Sequence, residues 1–137
     1  MHNKEIRIPR PLVNRLLHYA QTSPDLEVCG LVGAKNGVPG NCYPVKNAAA
    51  TPDRRFQMDP SEQIEAMRKM RERGEELFAI FHSHPAAPAE PSAADLEQAA
   101  YPDALYIVIS LNTKGVLEMR GFRIDRTRRI EEVALLV

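Results

Sequence analysis

His82 and His84 stand one residue apart, and Asp95 follows eleven residues after the second histidine. In an extended segment, residues two apart project to the same side. Both imidazoles can therefore aim at one point from the end of a strand. Pro85 stiffens the exit, and the loop beyond it is long enough to fold Asp95 back toward the histidines. Two nitrogens and one oxygen make a three-ligand set, with a fourth tetrahedral position open to water. That is the pattern of a catalytic site; a structural site uses four protein ligands and favours cysteine. Such donors favour Zn²⁺, with iron and manganese behind it.

A plainer reading competes for the same residues. Ser92-x-x-Asp95 is also a capping box, which starts a helix. The two histidines would then be ordinary polar residues at a strand end. The readings are compatible: Ser92 can cap a helix while its hydroxyl faces a metal. The dipole of that helix would hold Asp95 ionised, as a ligand must be.

Water activated at such a site needs a base that is not itself a ligand. Among the 18 acidic residues, Glu27 is the candidate, because it precedes the small, apolar run Val28-Cys29-Gly30-Leu31-Val32-Gly33 and so stands at a strand entrance. Spacing alone supports this choice weakly, since acidic residues at strand ends are usually solvated. Cys29 shares a face with Glu27 if the segment is extended, and reads as a small buried hydrophobe.

The elements that must position these residues can be read along the chain. Residues 5–8 alternate as a short strand. Pro11 opens a helix with an apolar stripe of Leu12, Leu16, Leu17 and Ala20, ended by Ser23-Pro24-Asp25. Val28 to Ala34 reads as a buried strand. Lys35-Asn36-Gly37 and Pro39-Gly40 mark a turn, and Cys42 to Val45 returns as the hairpin partner. Asn47 to Arg55 is a polar loop. Asp59 caps a second helix, Pro60 takes its first position, Glu62 closes a capping box, and Gly74 stops it. Ile64, Met67 and Met70 line its inner face. Leu77 to Phe81 is a strand running into His82-Ser83-His84-Pro85. A helix from Ser92 to Ala100 follows, and Leu105 to Leu111 is the strongest strand. Asn112 to Gly115 is a turn, Val116 to Ile124 a strand, and Ile130 to Val137 a last strand or short helix. The sum is five or six strands and three helices, an α/β fold with a mixed sheet flanked by helices.

The chain of 137 residues suits one domain, 1–137, with a core that needs no disulfide. Its 18 basic and 18 acidic residues balance, which argues against a general nucleic-acid or anionic-membrane binder. Arg126, Arg128 and Arg129 read as a solvated turn. No apolar run reaches the length of a membrane span, and the N-terminus has no apolar leader core. Two cysteines, Cys29 and Cys42, are too few for a disulfide framework, so a reducing cytoplasm is the expected compartment. The oligomeric state is not written in the pattern, and a homodimer stays open.

Glu27, His82-x-His84, seven residues, and Ser92-x-x-Asp95 together resemble the signature of the JAMM (MPN-plus) metalloproteases. Pro85 and Pro91 fit the same signature. Glu27 to Gly33 resembles the family's Glu-x-x-Gly-Leu-x-Gly stretch, and Phe56-Gln57-Met58-Asp59-Pro60 the start of its second helix. The resemblance covers roughly residues 5 to 125. It implies a fold similar to that of cytidine deaminases. It implies that His82, His84 and Asp95 bind zinc, that Glu27 is general base and proton donor, and that Ser92 helps hold the oxyanion. It implies hydrolysis of a peptide or isopeptide bond after the C-terminal glycine of a ubiquitin-like protein. The short chain is similar to stand-alone prokaryotic members that process sulfur-carrier proteins ending in Gly-Gly. Ser83 and Cys29 would be bystanders. The alternative is a non-catalytic scaffold module of the same fold. A nucleobase deaminase is disfavoured, because His-x-Glu and Pro-Cys-x-x-Cys are both missing.

Overall fold

The computed structural model describes residues 4–111 and 117–137. In chain order they form β1 (Glu5–Arg7), α1 (Arg10–Thr22), β2 (Cys29–Lys35), β3 (Val38–Val45), α2 (Pro60–Glu72), β4 (Glu76–His84), α3 (Ala93–Gln98), β5 (Leu105–Ser110), β6 (Glu118–Ile124) and β7 (Ile130–Leu136). The expected turn over Asn112 to Gly115, and the start of the strand at Val116, lie outside the described residues.

Seven strands among the described residues make one sheet, in the order β1-β7-β6-β5-β4-β2-β3. This corrects the expected five or six, and the last segment is a strand. The sheet is mixed: β4 runs parallel to β5 and β1 parallel to β7, while the other neighbours are antiparallel. The parallel pair at the centre is covered on both faces, as such pairs require.

Alternation in the central strands sorts the core into two layers. Leu31, Ile80, Tyr106 and Val108 pack on the face that receives Ala66 and Met70 of α2. Val32, Ala79, Phe81, Leu105, Ile107 and Ile109 pack on the other, against Leu12, Leu16 and Ala20 of α1. Each fully buried leucine contributes about 2 kcal/mol of apolar transfer. Since the strand period is two, His82 and His84 continue the Ile80 face, beneath α2 and α3, and Ser83 continues the Phe81 face. Gly30 is required by close packing: a Cβ there would lie 2.5 Å from the Tyr43 carbonyl oxygen and 2.6 Å from the Phe81 ring.

Local chemistry differs from expectation at four points. The hairpin turn is only Asn36-Gly37, with φ of 52° and 80°. Two successive left-handed residues suit the twist of a two-residue hairpin. Pro39 and Gly40 lie inside β3, an edge strand, where a missing N–H costs no ladder bond. The second helix is capped by Asp59, whose carboxylate accepts from the Glu62 N–H at 3.0 Å. The box is not closed, because the Glu62 carboxylate accepts instead from the Lys46 N–H at 2.9 Å. Ile64 does not join the inner stripe. It is 69% exposed, and Ala66 and Met70 are the buried residues of α2. The third helix is shorter than expected and ends at Gln98.

Cys29 and Cys42 are both free thiols. No helix among the described residues is long and apolar enough to cross a membrane.

Candidate metal centre

The C-terminal end of β4 carries His82 and His84 to the rim of the sheet, where α3 begins. Burial leaves both rings almost without solvent, at 1% and 2% exposure. Their Nε2 atoms lie 3.1 Å apart. Asp95 Oδ2 lies 2.9 Å from the His82 nitrogen and 3.2 Å from the His84 nitrogen. The three atoms therefore form a nearly equilateral triangle.

Asp95 owes its place to the start of α3. Ser92 Oγ accepts from the Asp95 N–H at 3.1 Å, and Asp95 Oδ2 accepts from the Ser92 N–H at 2.8 Å. This reciprocal box satisfies two N–H groups that a helix start leaves open. The capping expectation for Ser92 and Asp95 is met in full. The same Oδ2 that closes the box faces both imidazoles. Burial works to raise the Asp95 carboxyl, but the two imidazoles beside it and the Ser92 N–H outweigh it and hold the group well below the usual range.

His84 is oriented by a hydrogen bond at its rear nitrogen, and His82 by an aromatic ring on its face. His84 Nδ1 lies 2.8 Å from the Pro88 carbonyl oxygen, an acceptor that places the proton on Nδ1 and leaves Nε2 a lone pair. Phe56 stacks on His82, with ring centres 4.4 Å apart and an interplanar angle of 25°. Burial lowers the pKa of His82, favouring the neutral ring a ligand must be. His84 is driven the other way: burial would lower it, but Asp95 and the Pro88 carbonyl raise it.

Glu27 lies two residues before β2 and is 5% exposed. One candidate ligand atom each from Glu27, His82, His84 and Asp95 lies within 4.8 Å of the others. Burial pushes the Glu27 carboxyl up to about 7, with His84 opposing and Asp95 adding to the rise. Its Oε1 is buried and has no hydrogen-bond partner among the described residues.

These residues fit a divalent cation. Ligands bound at about 2.0–2.1 Å around a tetrahedral ion lie about 3.3 Å from one another. The observed separations of 2.9, 3.1 and 3.2 Å are close to that spacing. The Glu27 oxygen is a further buried polar group with no partner among the described residues. A cavity of about 330 Å³ reaches the cluster on the His82 and Asp95 side, walled by Phe56, Met58, Tyr106 and Val108.

Sequence reasoning passed over two contributors. Ser83, read as a bystander, ties the two central segments together: its Oγ accepts from the Val28 N–H at 2.9 Å, and its N–H donates to the Val28 carbonyl at 3.0 Å. Asn47, read only as part of a polar loop, bonds the Glu27 carbonyl at 2.9 Å. Cys29 is buried, and its thiol donates to the Val45 carbonyl at 3.3 Å.

A mixed sheet that delivers two histidines, a helix-borne aspartate and a buried glutamate to one point defines a protein with a candidate mononuclear metal centre. Its sequence identifies the lineage. The chain belongs to the prokaryotic homologs of the JAB domain, whose family model matches residues 9–125. It is 33% identical over 115 residues to the CysO-cysteine peptidase of Mycobacterium tuberculosis, covering 82% of this chain and 78% of the relative. It is 31% identical over 93 residues to a desampylase of Haloferax volcanii, covering 66% and 67% of the two chains. Among solved structures, a protein from Desulfitobacterium hafniense superposes with a TM-score of 0.83 at 32% identity, covering 95% of this chain and 90% of that one.

Proposed function

We propose that this chain is a zinc metallopeptidase that hydrolyses a peptide or isopeptide bond after the C-terminal glycine of a ubiquitin-like protein, of the sulfur-carrier kind. The observation that carries the reading is the convergence of four buried ligand atoms, from Glu27, His82, His84 and Asp95, within 4.8 Å. The relatives named CysO-cysteine peptidase and desampylase support the substrate class.

In this reading His82, His84 and Asp95 hold the ion. Bound Zn²⁺ supplies Lewis acidity and makes water a nucleophile near neutral pH. Glu27 takes the proton of the attacking water on its carboxylate and returns it to the leaving amine. Its burial suits both duties, since burial raises the carboxyl above the ordinary glutamate range and so makes it a better proton acceptor. The Ser92 hydroxyl, which accepts from the Asp95 N–H, keeps its own proton to donate. Aimed at the scissile oxygen, it stabilises the developing negative charge by about 3 kcal/mol. Asp95 is held well below the usual carboxylate range, so its charge is available to the ion near neutral pH. Glycines before the scissile bond let the substrate backbone approach this recessed cluster.

The test uses sulfur-carrier proteins ending in Gly-Gly and extended by a short C-terminal peptide. The zinc-loaded protein should release the extension, and Glu27→Gln should slow release by roughly 100- to 10,000-fold, leaving a measurable residual rate, while retaining zinc. Failure to cleave any such carrier would overturn the substrate class. Equal cleavage by Glu27→Gln would overturn the role of the glutamate.

A further inference from the structure

Glu27 stands outside β2, so no strand ladder holds it. Its two backbone polar groups are instead bound by the segment between β3 and α2. The Glu27 N–H donates to the Pro52 carbonyl at 2.7 Å. The Glu27 carbonyl accepts from Asn47 Nδ2 at 2.9 Å.

Asn47 is the tie that shapes this segment. Its Nδ2 also donates to the Arg55 carbonyl at 3.0 Å, and its Oδ1 accepts from the Ala49 and Gln57 N–H groups, both at 3.0 Å. One carboxamide thus uses two donors and two acceptors, the capacity such a group has. It closes the segment on itself and binds the closed segment to Glu27. The same segment carries Phe56, the ring stacked on His82. The glutamate and one histidine are therefore supported by a single side chain that touches neither carboxylate nor imidazole.

We propose that Asn47 is a positioning residue for catalysis: its carboxamide fixes the backbone of Glu27 and the segment that supports the site, and so sets where the glutamate carboxylate sits. This rests on the reading of Glu27 as the base. The effect works through placement, and a base misplaced by an ångström loses on the order of 100-fold in rate. Aspartate at this position keeps the shape and both acceptors but removes both donors. It sets a carboxylate against the carbonyls of Glu27 and Arg55.

The experiment combines a double-mutant cycle with amide hydrogen exchange on the full chain. Asn47→Asp should lower kcat roughly 10- to 100-fold, with KM within about twofold and zinc content unchanged. Placed in the Glu27→Gln background, it should cause no further loss. The Glu27 amide, bonded to Pro52, should exchange at least tenfold faster in Asn47→Asp. Asn47→Ser, which keeps a smaller donor, should fall between the parent and Asn47→Asp in kcat and in exchange. Losses that multiply in the double variant would overturn the proposal, because Asn47 would then act independently of the glutamate. An unchanged kcat in Asn47→Asp would also overturn it, as would failure of both single variants to fold. Full activity in Glu27→Gln alone would overturn the underlying reading of the base, a distinct result from any of these.

Discussion

Val28 and Ser83 are locked to each other by two hydrogen bonds. The Val28 N–H donates to Ser83 Oγ, and the Ser83 N–H donates to the Val28 carbonyl. Ser83 is flanked by the two histidines, and Val28 follows Glu27 directly. This pair sets the distance between the base and the histidines. Ser83→Ala would leave the buried Val28 N–H without its partner, at a cost of about 1–3 kcal/mol. The denaturant midpoint should fall by that equivalent, and peptidase activity should fall more than tenfold with zinc still bound. Ser83→Cys, a weaker acceptor of similar shape, should lie between the two.

Asp95 can be tested for its two duties separately. Asp95→Asn keeps a side-chain oxygen that can accept from the Ser92 N–H, but it loses the charge that makes a good ligand. Asp95→Ala loses both. Metal analysis after gel filtration should show stoichiometric zinc in the parent and little in either variant. Stability of the metal-free proteins should separate them, with Asp95→Ala lower than Asp95→Asn by about 1 kcal/mol, the worth of a helix cap. Zinc retained in Asp95→Ala would exclude the residue as a ligand and leave it the cap alone.

Glu27 gives a pH dependence of known sign in the metal-free protein. Its folded-state pKa is raised, from 4.5 to about 7, chiefly by burial. The folded state therefore holds the proton more tightly than the unfolded state. The stability linked to this group is fully present below pH 4.5 and is lost as pH rises through about 7. Glu27→Gln cannot ionise and escapes that loss. Relative to the parent, the metal-free variant should gain up to about 3 kcal/mol between pH 4 and pH 8. Chemical denaturation in chelator at several pH values measures it. A difference independent of pH would show that the carboxyl titrates normally.

Cys29 should be chemically silent. Burial, with Glu27 and Glu62 adding to it, pushes its thiol up to about 12, and burial raises Cys42 to about 11. Alkylation at pH 8 needs the thiolate, which is scarce at both positions. Mass spectrometry should find neither residue modified within minutes in the native protein, and both modified at once in denaturant. Rapid native labelling at Cys29 would mean that the end of β2 opens.

Much of the site was legible because it is local. The alternation through His82 and His84 reports which side of a strand they share, and Ser92-x-x-Asp95 reports a helix start whose box the structure closes. Patterns of this kind depend on backbone geometry within a few residues. The residues that were misread depend on partners far away in sequence. Glu62 had the spacing to close a box on Asp59, yet its carboxylate found the Lys46 N–H. Ile64 had helical spacing with Met67, yet the sheet meets α2 one residue-width round, at Ala66 and Met70. Ser83 and Asn47 carry no motif, since a serine in a strand and an asparagine in a loop have many uses. Glu27 could be singled out from spacing only weakly, and family resemblance strengthened the choice.

Loop lengths predict an order of assembly for Glu27 and the two histidines. His82 and Asp95 are separated by only 13 residues, and His84 and Asp95 by 11. The glutamate's neighbour Val28 is 55 residues from its tie at Ser83. Closing a short loop costs less entropy than closing a long one, and local contacts form sooner. A newly made or refolding chain would thus gather its two histidines and aspartate first. The base would arrive only when β2 docks on β4. Metal uptake and hydrolytic competence would be successive events, so a stalled folding intermediate could hold the ion without being able to cut.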